Sequence, residues 1–172
     1  MLEAHSHKKL KQILQRNPSS WPNHLTLGRL VARSIRRKDK TLIQLDPFSQ
    51  NLWWLGLLFP FCLGKNKAVL VVSDQQRQRL LNFEIPRLSD EGFPLACWEG
   101  VSPPSEDQLW ILSHYELIEA FRCGFVKSRQ LIFPEADLLS RRFREALNLS
   151  ITHEDWERLL RAHPQSQSDL LY

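Results

Sequence analysis

AVLVVSDQQRQRLL, residues 68–81, decides the fold. Its first five residues form an unbroken run rich in β-branched side chains, with no polar alternation before Ser73. Such a run suits a strand covered on both faces, as in a parallel sheet between helix layers. A serine and an aspartate then stand where a helix N-cap belongs, and the polar-apolar spacing predicts a helix over 73–85 limited by Pro86. Working outward, LWILS (109–113) repeats the pattern and leads into HYELIEAFRCG, a short helix closed by Gly124. SRQLIF (128–133) is a further strand, FPLACW (93–98) a weaker one, and TLIQL (41–45) a short apolar strand flanked by turn residues. Helical spacing is clear over Leu2–Arg16 and His24–Arg37, and an apolar helix fits 51–63, bent or ended by Pro60. Helices at 138–147 and His153–Ala162 complete the chain, the last with a capping pair at Thr152 and Asp155. Strands alternating with helices predict an α/β fold, a parallel sheet with helices on both faces.

Composition bounds the function. The 172 residues are 42% hydrophobic and 10% aromatic, which excludes a disordered chain. Cys62, Cys97 and Cys123 are an odd, widely spaced set, neither a disulfide framework nor a zinc site. The longest apolar run, 52–63, contains a proline and is too short to span a bilayer. With no signal-peptide pattern at the N-terminus, a cytoplasmic protein without membrane contact is expected. Charge is uneven: residues 1–40 carry a balance of +8 and the remainder −4. Arg33, Arg36, Arg37, Lys38 and Lys40 make the densest cationic group, a candidate contact for nucleic-acid phosphates or an acidic protein partner. The histidines show no metal-ligand spacing and no metal site is expected. Most of the six tryptophans are expected in the core.

In a parallel α/β sheet, ligands sit at the carboxyl ends of the strands, which directs attention to DPFSQN, SDQQ, SHYE and PEAD. The order of these segments resembles the first motor domain of superfamily-two DNA helicases of the damage-inducible and excision-repair (DinG/XPD) type, from about Trp21 to Leu160. The resemblance implies a RecA-like, P-loop-type three-layer sandwich in which 41–45 is the strand before the phosphate loop and neighbours 109–113. Ser49, Gln50 and Asn51 then fall in a vestigial phosphate loop, and no glycine or lysine occurs between Thr41 and Trp54. Without glycines the backbone does not close around a triphosphate, and Pro47 removes one N–H donor. Trp53 and Trp54 are expected to fill that space. QLIFPEAD resembles the family's Asp-Glu-Ala-His box, with Pro134 in place of the magnesium-binding aspartate; Glu135 and Asp137 are its vestigial acids. AVLVVSDQQ and LWILSHYEL resemble the motifs that follow, which suggests Ser73 and His114 as nucleic-acid contacts, although Ser73 also suits a plain helix cap.

These departures point to a helicase-like domain that lacks ATPase activity and acts by binding nucleic acid or a protein. No catalytic residue, no bound ATP or magnesium and no iron–sulfur cluster is expected, since only Cys97 and Cys123 lie in the interval where the family carries four ligands. One alternative is the N-terminal motor half of a longer DNA-dependent ATPase, which needs ATP, magnesium and a second helicase-like domain. Another is a protein–protein scaffold. The chain divides into a basic helix over 1–20, the α/β domain over 21–163 and a polar tail over 164–172.

Overall fold

The computed structural model describes residues 2–16, 21–46, 49, 52–64, 67–105, 108–148 and 152–162. Four strands, β1 (Ala68–Val71), β2 (Cys97–Trp98), β3 (Leu109–Leu112) and β4 (Gln130–Ile132), form one sheet in the order β2–β3–β1–β4. All pairings are parallel, with Val69 opposite Trp110 and Ala68 opposite Gln130. The two inner strands, β1 and β3, are buried along their whole length.

Period-two alternation sorts their side chains between two layers. Ala68, Leu70, Val72, Leu109 and Ile111 join the front core with α1 (Leu2–Arg16), α2 (His24–Arg37) and α3 (Trp54–Cys62). Val69, Val71, Trp110 and Leu112 face the back, against Leu117 and Ala120 of α6 (His114–Arg122), Val126, and Phe143 of α7 (Leu139–Leu147). The three-layer α/β arrangement is therefore present. Helix α1 shares the front core, burying Leu10 and Ile13. Helices α2 and α3 cross closely because Gly28 and Gly56 lie at the contact: a Cβ on Gly56 would stand 3.0 Å from the His24 carbonyl oxygen. Trp53 and Trp54 pack in this core with ring centroids 4.2 Å apart, joined there by Trp21. The last helix, α8 (His153–Ala162), buries no residue and starts at Thr152, whose hydroxyl and N–H pair with Asp155.

Two expectations fail. Residues 41–45 form no strand, so the implied pairing of that segment with 109–113 is absent. Ile43 and Leu45 reach the front core while Leu42 is 83% exposed, so the segment satisfies its apolar side chains without joining a backbone ladder. The helix after β1 also does not stop at Pro86. It runs as α4 (Asp74–Arg79), a wide π turn (Leu80–Glu84) and α5 (Ile85–Asp90), with the Ile85 N–H donating to the Leu80 carbonyl. In an α-helix the Pro86 ring would collide with the carbonyl four residues earlier, at Asn82. The wider turn removes that collision, and the chain continues until Gly92, at φ 82°, ends it. Boundaries shift elsewhere: 51–63 narrows to α3, and 93–98 to the two-residue edge strand β2 after Pro94.

No helix among the described residues is long and apolar enough to cross a membrane. The predicted tail over 164–172 lies outside the described residues.

Candidate binding cleft at the carboxyl edge of the sheet

Strands β1 and β3 end in the same device. Ser73 caps α4: its hydroxyl accepts from the Gln76 N–H at 3.4 Å, and its own N–H donates to Gln76 Oε1 at 3.3 Å. Ser113 caps α6 in the same way, accepting from the Glu116 N–H at 3.1 Å and donating to Glu116 Oε2 at 2.6 Å. Each Ser-x-x-Gln/Glu spacing is a capping box, which satisfies two N–H groups at the helix start. Arg77 bridges the two helices by pairing with Glu116. Burial pushes the Glu116 carboxyl up, but the Arg77 guanidinium and the Ser113 N–H outweigh it and leave its pKa below the ordinary value.

Between the Ser73 cap and the loop after β4 lies a cleft of about 580 Å³ at the carboxyl edge of the sheet. The front wall comes from α4 and the π turn: Ser73, the glutamines 75, 76 and 78, Arg79, Asn82 and Phe83. The back wall is Glu135 and Arg142. Arg79 is held by Glu84 at 2.9 Å, five residues on, a spacing that the π turn brings together. Arg142 lies 3.6 Å from Glu135 and 3.5 Å from Glu145, ion-pair distances longer than a good hydrogen bond.

The expected site residues divide between the two ends of the sheet. Ser73 and Glu135 line the cleft, and the plain-cap reading describes what Ser73 does: both its hydroxyl and its N–H are engaged. Asp137 is exposed on the turn after Glu135 and does not line the cleft. His114, also at the carboxyl edge, meets Phe143 edge-on at 5.6 Å and joins α6 to α7. Burial, with Arg142 nearby, pushes its imidazole below the ordinary range. Of the phosphate-loop residues, Gln50 and Asn51 lie outside the described residues. Ser49 is buried, and its N–H donates to the Asp46 carbonyl at 2.9 Å.

The cationic group sits at the opposite end. Gln130, which starts β4, donates to Ser34 in the last turns of α2, at 3.5 Å to its carbonyl and 3.4 Å to its hydroxyl. Arg33, Arg36, Arg37, Lys38 and Lys40 therefore cluster near the amino ends of the strands, a strand length of roughly 13 Å or more from Ser73. All five are exposed. Arg36 ties α2 to α1 through Glu3 at 2.7 Å, and Arg37 stands 3.9 Å from Asp39. Arg33, Lys38 and Lys40 make no ion pair among the described residues. Lys38 adopts a left-handed conformation (φ 56°) as the C-cap of α2, its N–H donating to carbonyls of the last turn.

No group of three potential ligands could share a metal ion among the described residues. Cys62 is half-buried and its thiol is pushed up to about 12 by desolvation, so it carries no thiolate chemistry at neutral pH. Sequence reasoning missed the glutamine-rich wall and Phe83. The available signal was the run DQQRQ after a capped strand end: SDQQ marks the carboxyl edge, but its glutamines read as no more than the start of a capped helix. Comparison with known protein families, with curated proteins and with solved structures finds no match to this chain.

Proposed function

We propose that this chain is a nucleic-acid-binding domain that does not hydrolyse ATP. One observation carries the reading: three exposed cations, Arg33, Lys38 and Lys40, project together from the end of α2 without internal partners among the described residues. Phosphates are the ligands such a group suits, because unpaired, mobile cations lose little on exchanging water and counterions for a polyanion. The absence of ATPase activity rests on Pro134 where a metal-binding acid is needed, on the missing lysine and glycines between Thr41 and Trp54, and on the engaged N–H of Ser49.

A gel-shift titration with single- and double-stranded DNA tests it. Reversing Arg33, Lys38 and Lys40 to glutamate should weaken binding more than tenfold at low salt. It should also lower the salt slope by about 2–3, the value for three lost phosphate contacts. These positions are cleaner than Arg36, whose loss would also loosen α1. An unchanged shift, or no binding at low salt, rejects the reading. In that event a protein scaffold gains ground from α8, whose Trp156, Leu159 and Leu160 share one helix face while no residue of the helix is buried.

A further inference from the structure

We infer that the carboxyl-edge cleft holds one nucleotide unit, its planar base stacked on Phe83 and its phosphate oxygens on Gln76 and Arg142. Gln76 is only 8% exposed, yet it lines the cleft. Its amide oxygen is committed to the Ser73 N–H, which fixes the orientation of the amide and leaves Nε2 as the free end. That buried donor has no partner among the described residues, and neither has the Arg142 Nε. Buried donors of this kind are rare in native proteins. Both lie just beneath the cleft lining, and an acceptor oxygen satisfies them once the two side chains turn outward. Phe83 supplies the other half of the site. It is 69% exposed on the π turn, an aromatic ring presented to the cleft instead of to the core.

The combination narrows the ligand class. A small inorganic anion would leave the ring unused, and an apolar ligand would leave both donors unpaired. A phosphorylated planar base uses all three. Glu135 tempers the site, since its carboxylate holds Arg142 at 3.6 Å and opposes an entering phosphate. A free nucleotide and one nucleotide of a single strand share this chemistry. The site lies at the other end of the sheet from Arg33, Lys38 and Lys40 and stands without them.

Titration of the full chain at low salt tests the assignment with three probes: thymidine monophosphate, a fluorescent hexathymidylate and a hexameric abasic phosphodiester. Phe83→Ala should weaken hexathymidylate binding about tenfold, as loss of one stacked base does, and Phe83→Tyr should retain it. Gln76→Glu keeps an oxygen for the Ser73 N–H but replaces the donor, and should cost a similar factor. Glu135→Gln should tighten binding about threefold by freeing Arg142. Because Phe83 is exposed, its truncation leaves the core intact, which thermal melting verifies. Binding of the monophosphate identifies a free-nucleotide site. Binding of hexathymidylate alone identifies a strand site. Both uphold the assignment. Wild-type affinity in both Phe83→Ala and Gln76→Glu overturns it, as does equal binding of the abasic probe or no binding of any probe. Glutamate at Lys38 and Lys40 should weaken the shift of longer DNA while leaving monophosphate binding unchanged, so failure of the basic cluster and failure of the cleft read out separately.

Discussion

The front and back faces of the sheet start from the same strands, β1 and β3, and end in different kinds of layer. In front, alternate strand residues meet three helices whose facing sides are almost wholly apolar, and α3 is buried from Trp54 to Phe61. At the back the other set meets α6 and α7, which bring few large apolar groups; α7 buries no residue completely. Strand alternation decides which side chain faces which layer, but the helices decide how deep that layer becomes. The thin back layer keeps arginines and carboxylates near the sheet, and the cleft opens where it meets the front helix α4.

Deleting aromatic bulk from each layer should expose this difference most strongly. Trp54→Ala, in the fully buried front core, should destabilise the fold by about 4 kcal/mol. Phe143→Ala, half-buried against His114 and Phe133, should cost about 1–2 kcal/mol. Urea unfolding measures both, and equal losses would show that the layers carry the sheet equally.

Acid should act next most strongly, and again through the front. His24 is buried, and desolvation with the charge of Arg87 pushes its imidazole down to about 4 from 6.5. Between these values the unfolded chain binds more protons than the folded one, so stability falls as pH drops from 6.5 through 4. The full loss is about 3 kcal/mol. His114 at the back is shifted in the same direction, less buried, and should add less. Unfolding midpoints at pH 7 and 4.5 should differ, and His24→Gln should flatten the difference far more than His114→Gln. An equal flattening would remove this distinction between the faces.

The smallest expected effect compares the two caps. Ser73→Ala and Ser113→Ala should each cost about 1 kcal/mol. The Ser113 change should exceed the other by a few tenths, because Glu116 anchors both its cap and Arg77. Thermal melts of the two variants decide the order.

The parts of this fold legible in the sequence are those where one physical signal acts alone. AVLVV and LWIL read as buried strands because continuous apolar runs have no other economical placement in so short a segment. The serines after them read as caps because their spacing to Gln76 and Glu116 matches the capping box. Segment 41–45 misled because two apolar residues can reach a core from an extended strap as well as from a strand. Pro86 misled because the rule that proline ends a helix assumes an α turn before it. The cleft was the least legible. Which end of the sheet receives α2, and so the separation of the cations from Ser73, depends on contacts such as Gln130 with Ser34, nearly a hundred residues apart.

The wide turn before Pro86 has a consequence for how such a protein can vary. An extra residue in a helix advances everything beyond it by about 100° around the axis. The wide turn takes up that residue locally, five residues covering about the angle of four, so both flanks keep their phase: Leu88 stays turned to the interior while Phe83 stands out on the turn. Removing one residue from 80–84 would therefore leave the flanks in place, take away the exposed perch of the Phe83 ring, and bring the Pro86 ring back against a carbonyl.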